Sequence, residues 1–439
     1  MTLKTRKIIF YLLSLLFIII GTIAIFYSNG WRLDLETMKI NKLGALFFEI
    51  TPSDAIITID GANFEFSPDF MRSGTLIANL FPKKYTAIVT KAGYQTWIKE
   101  LEVQPSLVTL ASPIILLPEK INLNLPINKE ADSFWIGPKY IAVLSGNNSL
   151  KINSKSVIGN EVFKWSSDGE SVITISENNY YATSLTAPSE SVNLSLMFKK
   201  LQNKKITDSS AITDIKFSPI SKKQFLATTE KGIYMMDSEK FTLTVIYSGL
   251  TDYSELSNNE IIIAANGEVL AYELISGIKS SLINQKFGRI KNIKISPSGY
   301  YVSVIEENGR LSVINRKSLK IALTDNGVVS ASFSPNSVKI AYYGSNNELS
   351  IYPLEQSTIY TSESPARFSL GPINDEIIWH KESGHILFKY SSSLYLLEAS
   401  SLPPINMQLI DLNAEKYNYN AETNTVYILK NKNLYKVEL

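Results

Sequence analysis

The alternation of apolar and polar positions along the chain changes rhythm twice. Ile8 to Phe26 is apolar with interruptions only at Tyr11, Ser14, Gly21 and Thr22. From Gly44 to about Pro118 the pattern breaks into short period-2 or continuous apolar runs, "GALFFEI", "AIITID", "TLIANL", "YTAIVTKAGY" and "LVTLASPIILL". Such runs predict strands, and Thr51-Pro52-Ser53-Asp54, Asp60-Gly61, Phe81-Pro82 and Ala92-Gly93 between them predict turns. Beyond residue 119 a longer unit recurs: "IKFSPISKKQFLATTEKGIYMMDS" from Ile215, "IKISPSGYYVSVIEENGRLSVINR" from Ile293 and "ASFSPNSVKIAYYGSNNELSIYPL" from Ala331.

The first run approaches the length a helix needs to cross a hydrocarbon core about 30 Å thick. Lys4, Arg6 and Lys7 precede it, which predicts an amino terminus held on the cytoplasmic side. Tyr27 and Trp31 then fall where an interfacial aromatic belt is expected. A cleaved signal peptide is the competing reading, but the run is long for one and "IAIFYSNGW" offers no small-residue cleavage site. A buried core helix is a third reading, and the segment shows no amphipathic stripe to support it. The division that follows is a tail over 1–7, a membrane-spanning signal anchor over 8–27, a linker over 28–43, a small antiparallel β-sandwich over 44–118 and a repeat domain over 119–439.

Eight copies of the repeat are found, anchored at Phe134, Trp165, Phe217, Tyr253, Ile295, Phe333, Trp379 and Tyr417. Each has one grammar: a strand, a Ser/Pro/Gly/Asn turn, a strand such as "VKIAYYG", an Asn- or Gly-rich hairpin turn, and a strand such as "LSIYPL". A period near 40 residues with three or four strands per unit is the signature of a β-propeller blade. One such sheet cannot cover both of its faces, so the copies must pack in a ring. Closure is expected from "INLNLPI", Ile121 to Ile127, pairing into the last copy and removing two open edges. Eight blades are expected, or seven if the first unit is not a full sheet.

Composition then narrows the chemistry. The 439 residues carry 43 basic and 41 acidic side chains, a net charge of +2, so no field exists to hold a nucleic acid. The absence of Cys removes disulfides, thiolate nucleophiles and thiolate metal sites. Only two histidines occur, His380 and His385, in one blade, and neither a G-x-S-x-G elbow nor a following hydrolase domain accompanies them. Turn or strand packing is the plainer account of both. Asp168, Asp214, Asp252 and Asp411 are the carboxylates that a central channel would gather for glycoside hydrolysis or calcium binding, yet they sit at unlike positions in their blades. Turn capping explains them more simply. No metal-ligand spacing and no G-x-G-x-x-G phosphate loop is present. The 23 Tyr and 5 Trp are expected mostly between blades, with any exposed ones available to sugars or a protein partner.

Two resemblances accompany this reading. Pro52-Ser53-Asp54-Ala55, Ile59-Asp60-Gly61, Leu80-Phe81-Pro82-Lys83-Lys84-Tyr85 and Gly93-Tyr94 follow, in order, the elements of the PEGA domain family, with Asp54 and Lys83 standing where the family has glycine. A Lys at positive φ would be strained, so that turn is expected to take another form. Trp165-Ser166-Ser167-Asp168-Gly169 and Phe333-Ser334-Pro335-Asn336 resemble TolB-type, WD40-like repeats. The first resemblance implies a surface domain that binds or spaces something; the second speaks to fold, since propellers host many unrelated tasks. The expectation is an all-β chain behind one transmembrane helix, a single-pass protein of a bacterial plasma membrane with its bulk outside the cytoplasm. It acts without catalysis in recognition or scaffolding, toward a protein or a cell-envelope polysaccharide, with no cofactor, metal or catalytic residue assigned. A glycosidase or lyase using channel carboxylates is the alternative.

Overall fold

The computed structural model describes residues 3–34, 38–65, 74–121, 123, 126–146, 148–186, 191–205, 210–249, 253–257, 259–355, 364–373 and 376–439. The chain divides into two compact units. One holds the described residues up to Lys120 together with Ser400–Gln408, and the other holds most of the remainder.

The first unit begins with the helix Leu3–Ser28, which is long and apolar enough to cross a membrane. A hairpin, Trp31–Asp34 with Lys39–Lys42, follows it. Two sheets then face each other. Gly44–Thr51 lies between Thr75–Leu80 and Val108–Ile115, and Ile56–Ile59 and Lys84–Thr90 lie inside the edge strands Ala62–Glu65 and Trp97–Glu102. Leu46, Phe48, Ile57, Val89, Trp97 and Leu101 fill the space between them. The expected sandwich was antiparallel throughout, but Gly44–Thr51 and Val108–Ile115 run parallel. Period-2 patterning marks which face of a strand is buried and is blind to strand direction.

Asp60 and Gly61 both take positive φ and turn Ile59 directly onto Ala62, the two-residue mirror-image turn that this dipeptide favours. The Asp60 carboxylate also accepts the Thr86 N–H at 2.9 Å. The turn at Lys83 needs no left-handed residue at that position. Neither Asp54 nor Lys83 takes a positive φ; the left-handed residue nearby is Asn79, at the bulge of Thr75–Leu80 opposite Gly44 and Leu46. The edge strand Trp97–Glu102 is covered by the excursion Ser400–Gln408: the Asn406 amide bonds both the N–H and the C=O of Ile98, and Glu100 N–H donates to the Pro403 carbonyl.

Among the described residues the second unit is built of eight four-stranded antiparallel sheets. In chain order their first strands are Ala131–Ile136, Glu161–Trp165, Asp214–Phe217, Tyr253–Ser257, Ile290–Ile295, Val328–Phe333, Ile378–Trp379 and Lys416–Asn420. Each repeat anchored in the sequence lies on or at the end of one of these strands. Neighbouring first strands lie side by side, Tyr253–Ser257 against Ile290–Ile295, that strand against Val328–Phe333, and Ala131–Ile136 against Lys416–Asn420. The core sits between successive sheets: Ile262 and Val269 pack on Ile293 and Val302, Val313 and Tyr301 on Ala331 and Ile340, and Ala341 and Ile351 on Ile386 and Phe388. The eighth sheet packs on the first through Leu429 and Leu434 against Phe134 and Val143. This is a β-propeller.

The closing strand falls later than expected. Asn128–Lys129 pairs with Asn433–Glu438, flanked by backbone bonds from Ile127 N–H to the Leu434 carbonyl and from Ala131 N–H to the Lys432 carbonyl. Among the described residues of the apolar run ahead of it, Ile127 joins this seam. The two residues of the closing strand carry no apolar side chain to mark them; they add backbone pairing to a seam whose apolar contact comes from Leu429 and Leu434 against Phe134 and Val143.

The helix Leu194–Lys205 was not expected in an all-β chain. Asn193 caps it through the Leu196 N–H, and Leu194, Met197, Phe198 and Leu201, spaced at helical intervals, pack on Phe225 and Tyr234 of the third sheet. It occupies the long interval between the Trp165 and Phe217 copies.

The chain has no native Cys to mispair with an engineered one. Joining the facing residues Lys129 and Asn433 as a disulfide, Lys129→Cys with Asn433→Cys, is expected to raise the thermal midpoint by several degrees in the oxidised form alone, in keeping with the ~3–5 kcal/mol of long-loop cross-links. Calorimetry with and without reductant checks this, and an unchanged midpoint on oxidation contradicts closure at this seam.

Candidate binding site at the mouth of the propeller

The turn between the first and second strands is built alike in several sheets. Ser166 Oγ donates to Asp168 Oδ1 at 2.8 Å and accepts the Ser171 N–H at 2.9 Å, and Ser334 repeats this with Asn336 and Lys339 at 2.8 and 3.0 Å. Gly169, Gly299, Ser337 and Ser383 occupy the left-handed position of their turns. Where serine replaces glycine there, its hydroxyl reaches the preceding sheet: Ser337 Oγ accepts the Ser298 N–H at 2.9 Å, and Ser383 Oγ accepts the Asn336 N–H at 3.1 Å. Strained serines thus tie the fifth, sixth and seventh sheets together along one face of the ring.

His380 occupies the position of Ser166 and Ser334 in the seventh sheet. It is buried; its Nδ1 accepts the Glu382 N–H at 3.4 Å, so Nε2 carries the proton and donates to Asn424 Oδ1 of the eighth sheet at 2.7 Å. Burial holds its pKa down at about 4, well below the usual imidazole value. His385 begins the second strand, also buried, with its ring 6.3 Å from that of His380. His380 thus bridges the seventh and eighth sheets, with the His385 ring packed edge-on beside it.

The carboxylates do not gather as a central site would require. Asp168 lies in the turn just described, ion-paired with Lys222 of the third sheet, whose Nζ also lies 2.7 Å from Glu170. That lysine, with the Glu170 N–H and the Ser166 hydroxyl, holds the Asp168 carboxyl far below the ordinary range. Asp411 ends the outermost strand of the seventh sheet and pairs with Lys430 at 2.9 Å. Asp252 falls outside the described residues. Asp214 alone lies on a first strand, where Lys216 Nζ stands 3.0 Å from it and 3.5 Å from Glu255 of the fourth sheet. Lys216 thus links the two carboxylates, and with them the third and fourth sheets, as a shared ion-pair partner. No group of metal-ligating side chains occurs among the described residues.

At the end of the first strands the fifth to eighth sheets enclose a depression of about 510 Å³. Pro297 and Pro335 form exposed shoulders, Phe333 and Trp379 supply an aromatic floor, and Ser332 and Asn418 add polar groups. Trp379 is fixed by its indole N–H on the Ser332 carbonyl at 3.0 Å. Lys294 and Glu376 form an ion pair across the opening at 3.2 Å, with Glu376 three-quarters exposed. Such a surface offers apolar contact together with one charge of each sign. The two prolines are legible as turn residues in the Ser-Pro motifs, but nothing local marks Lys294 and Glu376, which lie two sheets apart and meet only through ring closure.

No family model and no curated protein matches this chain. Among solved structures, the C-terminal WD40 domain of Sif2 is similar at a TM-score of 0.49 and 14% identity, covering 72% of this chain and 98% of that one. A chain of the mitotic checkpoint complex gives 0.44 and 12%, covering 74% and 96%, and Hsv2p of Kluyveromyces lactis gives 0.43 and 11%, covering 69% and 92%.

The depressed His380 pKa gives a pH dependence with a definite sign. Between pH 7 and 4 the unfolded chain takes up a proton that the folded imidazole refuses, so stability is full above the unfolded pKa and falls as pH drops toward 4. The loss approaches about 3 kcal/mol. His380→Gln should flatten this slope, as read from thermal midpoints across that range, while a slope unaffected by the substitution would place the proton elsewhere.

Proposed function

We propose that this chain is a single-pass, membrane-anchored protein of a bacterial-type plasma membrane, amino terminus inside, carrying a PEGA-like sandwich and an eight-bladed propeller on the extracytoplasmic side. It acts without catalysis, as a recognition or scaffolding protein that engages a segment of a partner protein at the propeller mouth. The anchor reading is supported by the uncharged run from Ile8 to Phe26 behind Lys4, Arg6 and Lys7. The PEGA-like reading is supported by the order of the four sequence elements, and the blade count by eight four-stranded sheets among the described residues.

The observation that carries the functional reading is the depression itself. Proline shoulders, an aromatic floor and an exposed ion pair recognise shape, apolar surface and charge together, which is what a peptide segment presents. An acid–base pair at the same place would need two carboxylates within it, and among the described lining residues Glu376, paired with Lys294, is the one carboxylate. An envelope polysaccharide remains the other class of ligand to test.

A photo-reactive amino acid placed at Pro297 or Pro335 in cells is expected to yield the same discrete cross-linked protein from both positions, and Lys294→Glu should reduce it by an order of magnitude. The same probe at Asn308, in a turn between second and third strands, should give none. Cross-links to glycan, or hydrolysis of a glycoside by the purified chain that disappears in Asp214→Asn, would replace the protein-recognition reading with its rivals.

A further inference from the structure

The turns between the third and fourth strands of three adjacent sheets share an unusual composition. In the third sheet Asp237 Oδ1 accepts the Glu239 and Lys240 N–H groups at 3.0 and 2.9 Å, and in the fifth Asn315 Oδ1 accepts those of Lys317 and Ser318 at 3.0 and 3.1 Å. Both turns end on a residue at left-handed φ, Phe241 at 51° and Leu319 at 53°. Glycine or asparagine suits that backbone best, and Asn424 fills the like position of the eighth sheet's first turn. Backbone geometry therefore argues against bulky residues here, and packing does not ask for them, since Phe241 is 46% exposed and Leu319 is 56% exposed. The fourth sheet, between these two, presents Ile275 at 71% and Ile278 at 62% from the corresponding turn.

These turns lie on one face of the ring. Arg316, from the fifth sheet's turn, holds Glu260 of the fourth sheet through two bonds of 2.6 and 2.8 Å and also donates to the Gly299 carbonyl at 2.9 Å. Basic residues interleave with the apolar tips: Lys240 precedes Phe241, Lys279 follows Ile278, and Lys317 and Lys320 flank Leu319. None of these four lysines has an ion pair among the described residues. Glu239 is held by Lys223 at 2.7 Å, Glu260 by Arg316, Glu273 by the Ser276 hydroxyl and Glu268 by Lys286 at 2.8 Å, while Asp237 caps its own turn and lies in the field of Lys240.

We infer that this rim, Phe241, Ile275, Ile278 and Leu319 with Lys240, Lys279, Lys317 and Lys320, is a docking surface for an anionic lipid bilayer. Separate projecting tips spread over three sheets suit a yielding surface that each can enter independently. Ammonium groups beside apolar side chains match phosphate headgroups above an acyl boundary, with the lysine stems lying along the interface. This goes beyond anchoring by the amino-terminal helix and does not depend on the peptide-recognition reading, which concerns the mouth of the ring.

The absence of Cys permits a direct test in the full chain. Ile275→Cys, Leu319→Cys and, as the control, Asn308→Cys are each labelled with an environment-sensitive fluorophore and reconstituted into phosphatidylcholine vesicles with or without phosphatidylglycerol. The expected result is a blue shift and quenching by brominated lipid at 275 and 319 in anionic vesicles only, with no change at 308. High salt, or a quadruple Lys→Glu variant at 240, 279, 317 and 320, should abolish the shift; the salt arm decides the matter should the variant fail to fold. No shift in anionic vesicles, or an equal shift at 308, overturns the inference. A shift in detergent that grows with protein concentration overturns it in favour of a second copy of the chain as the occupant.

Discussion

A four-stranded sheet with apolar side chains on both faces cannot stand alone in water, and everything in the second unit follows from that. Ile262 and Ile263 are adjacent in one strand, point to opposite faces, and are both fully buried, because the fourth sheet is covered by the fifth on one side and by the third on the other. The same demand passes from sheet to sheet until the eighth meets the first, where Leu434 and Phe134 share one cluster. Polar links on the turn face, such as Ser337 to Ser298 and His380 to Asn424, add register to a ring that apolar burial has already assembled. Exposed ion pairs such as Lys222 with Glu170 are screened by solvent and contribute little.

This also explains how much was legible in the sequence. A repeated unit writes its strands, turns and burial pattern several times over, so the anchors from Phe134 to Tyr417 each reach a sheet of their own. Single events leave no such redundancy. The helix Leu194–Lys205 could have been found from the spacing of Leu194, Met197, Phe198 and Leu201, but it occurs once and was masked by the expectation of strands. The parallel pairing of Gly44–Thr51 with Val108–Ile115 leaves no mark in the alternation of side chains. The closing strand is two residues long and has no apolar side chain of its own to mark it.

The candidate site was less legible for a related reason. Pro297 and Pro335 are visible as turn residues, whereas Lys294 and Glu376 become partners only because the ring brings the fifth and seventh sheets to one opening. The carboxylates singled out from sequence, Asp168 and Asp411, are drawn instead to lysines in turns and on an outer edge. In a toroid, chemistry belongs to the inner rim, and position in the repeat, which spacing reveals, matters more than residue type.

The seam between Asn128–Lys129 and Asn433–Glu438 has a consequence for biogenesis. The strand that completes the eighth sheet emerges from the ribosome roughly three hundred residues after the one it must meet. Until then the first sheet waits with Phe134 and Val143 uncovered on the face that the eighth sheet will occupy. The ring of this domain therefore closes only once its eighth sheet has been made, and the nascent chain depends on whatever shields greasy surface during that interval.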